Sequence, residues 1–171
     1  MSVVIKDDNH IPEIIMQLEH LKDYHVRVGI LGGGEIGMIA GVQEFGAHIV
    51  AKNPSGYLWI PTKGENGGKD GVLKLREVTI PERSFIRSTF AEKQGEWNTF
   101  AEKLIFEVAN GSIGARMAYQ RLGERMARDI RNKIKSTHSP ANAPLTINNK
   151  GSSSPLIDTG RLRQSVTYEV I

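Results

Sequence analysis

The segment VRVGILGGGEIG, Val26 to Gly37, decides between two fold classes because it joins an apolar run to a cluster of glycines. Gly32, Gly34 and Gly37 satisfy the spacing G-x-G-x-x-G, which in a dinucleotide-binding fold turns a strand into the helix that receives a pyrophosphate. Such a fold alternates strands and helices around a parallel sheet. The same glycines can instead supply backbone freedom in a loop between a strand and a short helix.

The residues that follow argue against a nucleotide site. A dinucleotide fingerprint needs a long first helix and an acidic residue about 20 positions further on. Here Gly46 ends the helix that we predict over Met38–Phe45 after about two turns. No Asp or Glu lies between Glu44 and Glu65. We therefore interpret the glycines as part of a loop and predict that no cofactor is bound.

The apolar spacing along the rest of the chain predicts a few helices and strands that do not alternate. They are a helix over Ile11–Tyr24, strands over His25–Leu31, Tyr57–Ile60 and Val72–Ile80, a long helix capped by Ser84 and reaching Val108, a second long helix over Ile113–Ser136, and a short helix or turn before a final strand in RLRQSVTYEVI. Two polar segments rich in glycine, proline and asparagine, at about 62–71 and 138–154, are predicted to be protruding loops.

Composition limits the classes of protein that fit. A length of 171 residues suits one domain spanning 1–171, and 39% hydrophobic with 24% charged residues is ordinary for a globular core. The absence of cysteine excludes disulfides, iron–sulfur clusters and thiolate zinc sites. No apolar run reaches the roughly 18 residues of a membrane span, and the N-terminus lacks the pattern of a signal peptide. We expect the protein to be made and kept in a cytoplasm.

No group of residues points to catalysis. The five histidines are scattered and none has metal-ligand spacing. The serines at 152–154 lack the G-x-S-x-G turn that exposes a nucleophile. We therefore predict no catalytic and no metal-binding residues and expect a protein that is not an enzyme.

The second long helix carries an excess of positive charge. Between Arg116 and Lys135 the chain has seven basic and two acidic residues. Basic side chains on one helix can track DNA phosphates without reading sequence. The candidate DNA-facing residues are Arg121, Arg125, Arg128 and Arg131. The alternative is that these charges form an ordinary solvated face.

Three segments in register carry a resemblance to a known family. They are VRVGI (26–30) followed by AGVQEFGA (40–47), IPERSFIRSTF (80–90), and PLIDTGRLRQSVTYEV (155–170). In this order they resemble the small neck and tail-completion proteins of long-tailed bacteriophages, and the resemblance covers most of the chain. The second motif usually reads I-P-A-R-P-F in that family, and Glu82 and Ser84 occupy its variable places here.

The resemblance implies a fold and a function. The implied fold is α+β, with a small, mostly antiparallel sheet packed by two long helices and long extended loops. The implied function is that of a structural virion protein, which joins the head connector to the tail or completes the head-proximal end of the tail. It implies a ring of identical subunits, a hexamer or alternatively a dodecamer, with genomic DNA passing through the lumen. Its implied partners are head connector or adaptor proteins and tail terminator or tail tube proteins, in a virion assembled in the host bacterial cytoplasm.

The matching motifs also supply candidate interface residues, which are Arg83, Phe85, Arg87, Asp158, Arg161 and Arg163. Arg83 and Arg87 pair either with acidic groups of an adjacent subunit or within the chain. Asp158 and Thr159 either cap a turn relaxed by Gly160 or contact a neighbour directly. Loops 62–71 and 138–154 are the candidates for reaching neighbouring subunits. The alternative function is a DNA-binding or packaging accessory protein that acts through helix 116–135.

Overall fold

The computed structural model describes residues 9–64 and 70–171 and has the α+β architecture expected from the sequence. The described helices are α1 (Ile11–His20), α2 (Gly34–Phe45), α3 (Arg87–Ala109), α4 (Ala115–Ser136), α5 (Pro144–Lys150) and α6 (Arg161–Gln164), with a short 3-10 turn over Leu21–Asp23. The described strands are β1 (Val26–Gly29), β2 (Ala47–Val50), β3 (Leu58–Thr62), β4 (Gly71–Leu75), β5 (Glu77–Ile80) and β6 (Thr167–Val170).

The long helices α3 and α4 run antiparallel and form the spine of the molecule. Their connection turns at Gly111, whose φ of 70° lies in the left-handed region that favours glycine. Buried residues recur at helical spacing in both helices, including Leu104 and Val108 of α3 and Ile130 and Ile134 of α4. The predicted pair of long helices is therefore present, with α3 beginning at Arg87.

The first and last described strands pair with each other and lie on α4. β1 and β6 are antiparallel, with Val28 opposite Tyr168. α4 approaches this pair so closely that a Cβ on Gly123 would lie 2.5 Å from the Tyr168 ring and 2.8 Å from Val26. Only glycine fits at that point of the helix, and the N-terminal and C-terminal parts of the fold meet there.

The other strands form one extended hairpin, which we call the arm. β2 pairs with β5 and β3 pairs with β4, both antiparallel. The Ala51 amide donates to the Arg76 carbonyl at 2.9 Å and connects the two ladders. Residues 52–57 are an insertion in one strand, held by hydrogen bonds to the Asn53 side chain. The pairings that were expected in one small sheet are thus divided between the arm and the β1–β6 pair.

Several element boundaries differ from those expected. α2 begins at Gly34 rather than Met38, so Gly34 and Gly37 lie in a helix and not in a loop. A Cβ on Gly37 would stand 3.0 Å from the Gly32 carbonyl oxygen, so glycine lets the first turn pack on the chain before it. β2 was not predicted, and Arg76 divides the strand predicted over Val72–Ile80.

The segment 138–154 is another correction, because it contains helix α5 instead of being irregular throughout. Pro144 occupies the first turn and Gly151 ends the helix in the left-handed conformation, with φ of 67°. A helix this short shows no apolar period in the sequence. In the loop predicted at 62–71, Thr62 ends β3 and Gly71 begins β4, and residues 65–69 lie outside the described part of the chain.

Candidate functional site

Glu44 lies at the centre of a cluster that we call the capping junction. Its carboxylate is 4% exposed and faces the N-terminus of α3. One oxygen, Oε2, accepts the backbone amides of Phe85 at 2.7 Å and Ile86 at 2.9 Å. The other, Oε1, accepts the Ser84 hydroxyl at 2.7 Å and the Arg87 amide at 2.9 Å. A side chain from α2 therefore caps α3 together with Ser84, the cap expected from the sequence, whose hydroxyl accepts the Ser88 amide at 3.2 Å.

Two opposing effects act on the pKa of Glu44. Burial disfavours the charged carboxylate and raises the pKa, and this is the largest single influence. The amides of Ile86, Arg87 and Phe85 and the Ser84 hydroxyl stabilise the charge and together outweigh burial, so the pKa lies below its ordinary value. The helix N-terminus adds a positive field of the same sense. Glu44 is thus held as a buried anion.

Arg83 makes its hydrogen bonds within its own chain. It is 6% exposed, and its Nε donates to the Pro140 carbonyl at 2.7 Å while Nη2 donates to the Ala141 carbonyl at 3.0 Å. Nη1 donates to the Gln43 side chain at 3.2 Å. Burial lowers the pKa of the guanidinium below its ordinary value, although arginine stays charged. Arg83 therefore fastens the segment that follows α4 to α2.

Arg87 has both a buried and an exposed contact. Its Nε donates to Glu44 at 3.2 Å and its Nη2 donates to Glu82 at 2.7 Å, while about half of the side chain is exposed. The guanidinium also covers the Phe45 ring, 4.5 Å from the centroid. Phe85 is fully buried. Of the candidates in the second motif, Arg87 alone has a side chain with substantial exposed area.

The closing motif anchors to the same core and leaves its charged residues outside. Leu156 and Leu162 are buried, and Gly160 has the left-handed φ of 82° that the turn before α6 requires. Asp158 makes no cap hydrogen bond to α6. It is exposed, as are Arg163 and Arg161, and Arg161 Nη2 donates to Glu35 at 3.2 Å.

The three segments behind the family resemblance meet in one core. Ala40 from the first, Phe85 from the second, and Leu162 and Val166 from the third belong to one buried cluster completed by Ile130 and neighbouring residues of α4. The capping junction joins the first two segments, and β1–β6 pairing joins the first to the third. Residues far apart in the sequence thus form a single packed unit.

Most of the basic side chains on α4 contact carboxylate or carbonyl groups of their own chain. Arg121 donates to Glu107 at 2.7 Å, and Arg125 lies 3.7 Å from Glu96. Arg131 Nη2 donates to the Val166 carbonyl at 2.8 Å. Of the four candidate DNA-facing residues, Arg128 has the most exposed side chain, at 61%. The antiparallel packing of acidic α3 against basic α4 accounts for this charge matching.

Sequence reasoning missed Glu44 and Gln43 as central residues, although both lie within the quoted QEFG motif. A glutamate in an amphipathic helix gives no signal of burial, because the donors that hold it come from residues 84–87. A groove of about 730 Å³ beside the junction, lined by Ile39, Val78 and Leu156 among others, was also not foreseen. It depends on the distant segments that form its walls.

Comparison with protein-family models, curated proteins and solved structures finds no match to this chain. Within residues 9–64 and 70–171, no cluster of three or more histidine, aspartate or glutamate side chains could hold a metal ion. Over the same ranges, no helix has the length and apolar character needed to cross a bilayer.

Proposed function

We propose that this protein is a structural subunit of the neck of a long-tailed bacteriophage. It joins the head connector to the tail or completes the head-proximal end of the tail, as a ring of identical subunits around the DNA channel. The observation that carries the proposal is that the three family-like segments share one core, with the first two also joined by the capping junction.

The exposed apolar residues support a role in assembly. Met38 and Phe45 of α2, Trp59 and Val72 of the arm, and Phe106 of α3 are large and each about half exposed or more. Scattered apolar residues are ordinary on a protein surface, whereas apolar residues grouped on one face, as Trp59 and Val72 are on the arm, mark a surface covered by another protein. A subunit that contacts neighbours, a connector and a tail needs several such surfaces.

The test is electron microscopy of lysates from the phage that carries this gene, with the gene disrupted. We expect DNA-filled heads beside separate tails of normal length. Heads that lose their DNA would assign the subunit to the head side of the neck. Normal infectious virions would overturn the proposal. A complementing plasmid that expresses the intact chain is the control and should restore joined particles.

The alternative function is a DNA-binding or packaging accessory protein acting through α4. It needs cations free to meet phosphates, and Arg121, Arg125 and Arg131 already contact groups of their own chain. It makes a distinct prediction, since binding to duplex DNA would weaken steeply with salt. Replacing Arg128, Arg116 and Lys135 together by glutamine should then reduce both the affinity and its salt dependence, whereas the neck function predicts little change in either.

A further inference from the structure

The arm presents a largely apolar face that the described part of its own chain covers only in part, with Lys74 Nζ lying 4.3 Å over the Trp59 ring. Trp59, Pro61, Val72 and Lys74 lie on one side of the β3–β4 ladder, since Trp59 is opposite Lys74 and Pro61 is opposite Val72. We call these four residues the outer face of the arm. Trp59 is 53% exposed and Val72 is 56% exposed. A two-stranded hairpin is marginally stable in water unless something packs on it. Helix α5 holds the β3 end, since Asn149 Nδ2 donates to the Pro61 carbonyl at 2.7 Å, but the outer face stays exposed.

A second uncovered apolar surface lies on α1. The inner side of this helix is fixed to the body, because the Ala115 amide donates to Gln17 at 3.0 Å and Tyr119 donates to the Leu21 carbonyl at 2.8 Å. Beside that inner side runs another row of apolar residues at helical spacing, and all three are exposed. This row, which we call the α1 stripe, consists of Ile11, Ile15 and Leu18.

The two surfaces carry opposite charge. The described residues of the arm include Lys52, Lys63, Lys74 and Arg76 against Asp70 and Glu77. The segment 9–24, which carries the α1 stripe, includes Glu13, Glu19 and Asp23 against Lys22. Complementary charge around an apolar centre favours association and selects its orientation. This difference in charge favours a second copy of the chain as the occupant of either surface.

The positions of the surfaces determine how copies would join. The arm begins beside the N-terminus of α3, where Gly46 lies against Glu82. α1 lies against the opposite end of the helix pair, where Ile14 approaches Gly111. A helix of 23 residues separates these ends by about 34 Å. A contact between one copy's arm and the next copy's α1 is therefore head to tail, and such contacts generate rings or open filaments.

We propose that the outer face of the arm packs on the α1 stripe of an adjacent copy, with Trp59 and Val72 against Ile11 and Ile15. The contact deepens the proposed function and rests on it for the ring of identical subunits. Neither residue pair belongs to the capping junction or to the buried core. Variants at these positions can therefore be tested in a folded protein.

Cysteine crosslinking of the full chain tests this contact, because the natural sequence has no cysteine. The variant carrying both Val72→Cys and Ile15→Cys, treated with a short bismaleimide, should give a covalent ladder of dimers, trimers and larger species. A mixture of the Val72→Cys and Ile15→Cys single variants should stop at dimers, because each copy then has one reactive surface. Met38→Cys combined with Val72→Cys is the control, since Met38 is more exposed than Ile15 but lies on α2.

Three results would overturn the proposal. Covalent dimers of Val72→Cys alone would indicate a symmetric arm-to-arm contact. Equal ladders from the Met38 control would indicate random collision. Absence of a ladder from the double variant would exclude this pairing, whether or not the native chain forms rings. Gene disruption reports on the neck function separately, so the contact can fail while that function stands, and the reverse also holds.

Discussion

The capping junction buries a polar group and satisfies its hydrogen bonds, whereas the arm leaves apolar side chains exposed. In the capping junction, a buried carboxylate receives hydrogen bonds from backbone amides, a hydroxyl and a guanidinium. In the arm, Trp59 and Val72 stay half exposed on a hairpin two strands wide. The junction is satisfied within one chain, while on the arm Lys74 lies 4.3 Å over the Trp59 ring and still leaves about half of that side chain exposed. The comparison separates residues that hold the fold from residues available to a partner.

The two regions are connected through Gly46, which ends α2 two residues after Glu44 and begins the arm. A Cβ at this position would lie 2.9 Å from both the Glu82 amide and the Ile80 carbonyl oxygen, and its φ is 71°. Both the space and the backbone conformation require glycine. The capping junction therefore sets the position of the arm's base, and damage to the junction should also disturb the arm.

The largest effect on folding is expected from Glu44→Ala. It leaves the amides of Phe85, Ile86 and Arg87 without their acceptor in a buried place, so we expect a loss of about 3 to 5 kcal/mol in the free energy of unfolding. Urea denaturation followed by circular dichroism measures this. Glu82→Ala is the control, because Glu82 is an exposed partner of Arg87. A surface pair of that kind contributes about 0 to 1 kcal/mol. Equal losses from the two variants would contradict the role given to Glu44.

The pH dependence of stability tests the same carboxylate without a large structural change. Because its pKa in the folded state lies below the ordinary value of 4.5, its contribution is fully present above that value and is lost as the pH falls through the folded pKa. The difference in unfolding free energy between native chain and Glu44→Gln should therefore shrink with falling pH below about 4.5. A difference that stays constant from pH 6 to pH 3 would show that ionised Glu44 has no special stabilisation.

Two glycines in the long helices sharpen the contrast between close packing and exposure. Gly123→Ala would push a methyl group into Tyr168 and Val26, and we expect it to cost about 1 to 3 kcal/mol. Gly95 is exposed and has nothing within 4 Å of an added Cβ. Gly95→Ala should therefore stabilise the protein by about 0.5 to 1 kcal/mol through helix propensity. Thermal unfolding of both variants measures the two shifts, which must have opposite signs.

The sequence was most informative where a pattern is local. The apolar spacing of Leu104, Val108, Ile130 and Ile134 predicted two long helices, and their burial confirms that part. Gly46 was correctly predicted to end a helix, because a glycine just after an apolar run is a local signal. The failure of the glycine run to continue into alternating strands and helices correctly excluded a doubly wound sheet.

The candidate site could be predicted only in part, because its geometry depends on long-range contacts. The motifs singled out Arg83 and Arg87 as candidate interface residues, but they did not indicate that Arg83 is buried against Pro140 and Ala141. No local pattern shows that Glu44 caps a helix starting at residue 87. The arm was not predicted for a similar reason. The insertion at 52–57 interrupts the alternation of apolar and polar residues that would have indicated that β2 and β3 belong to one strand of a hairpin.

The chain's two tryptophans give the sharpest contrast, because one is buried and the other is exposed. The exposed one gives the smallest expected effect on folding. Trp97 is buried in the helix pair and its Nε1 donates to Asp129 at 2.8 Å. Trp97→Phe should cost about 1 to 2 kcal/mol, because Asp129 loses its donor. Trp59→Phe should change the unfolding free energy of the monomer by less than about 0.5 kcal/mol.

Fluorescence adds a readout that stability cannot provide. In Trp97→Phe the remaining emission comes from Trp59, and acrylamide should quench it readily in the monomer, because the indole is exposed. In Trp59→Phe the buried Trp97 should resist quenching. If the arm packs on a neighbouring copy, quenching of Trp59 should fall as the protein concentration rises, while that of Trp97 stays constant. Quenching of Trp59 that is strong at every concentration, in samples that sediment as oligomers, would place the contact elsewhere and leave the arm uncovered.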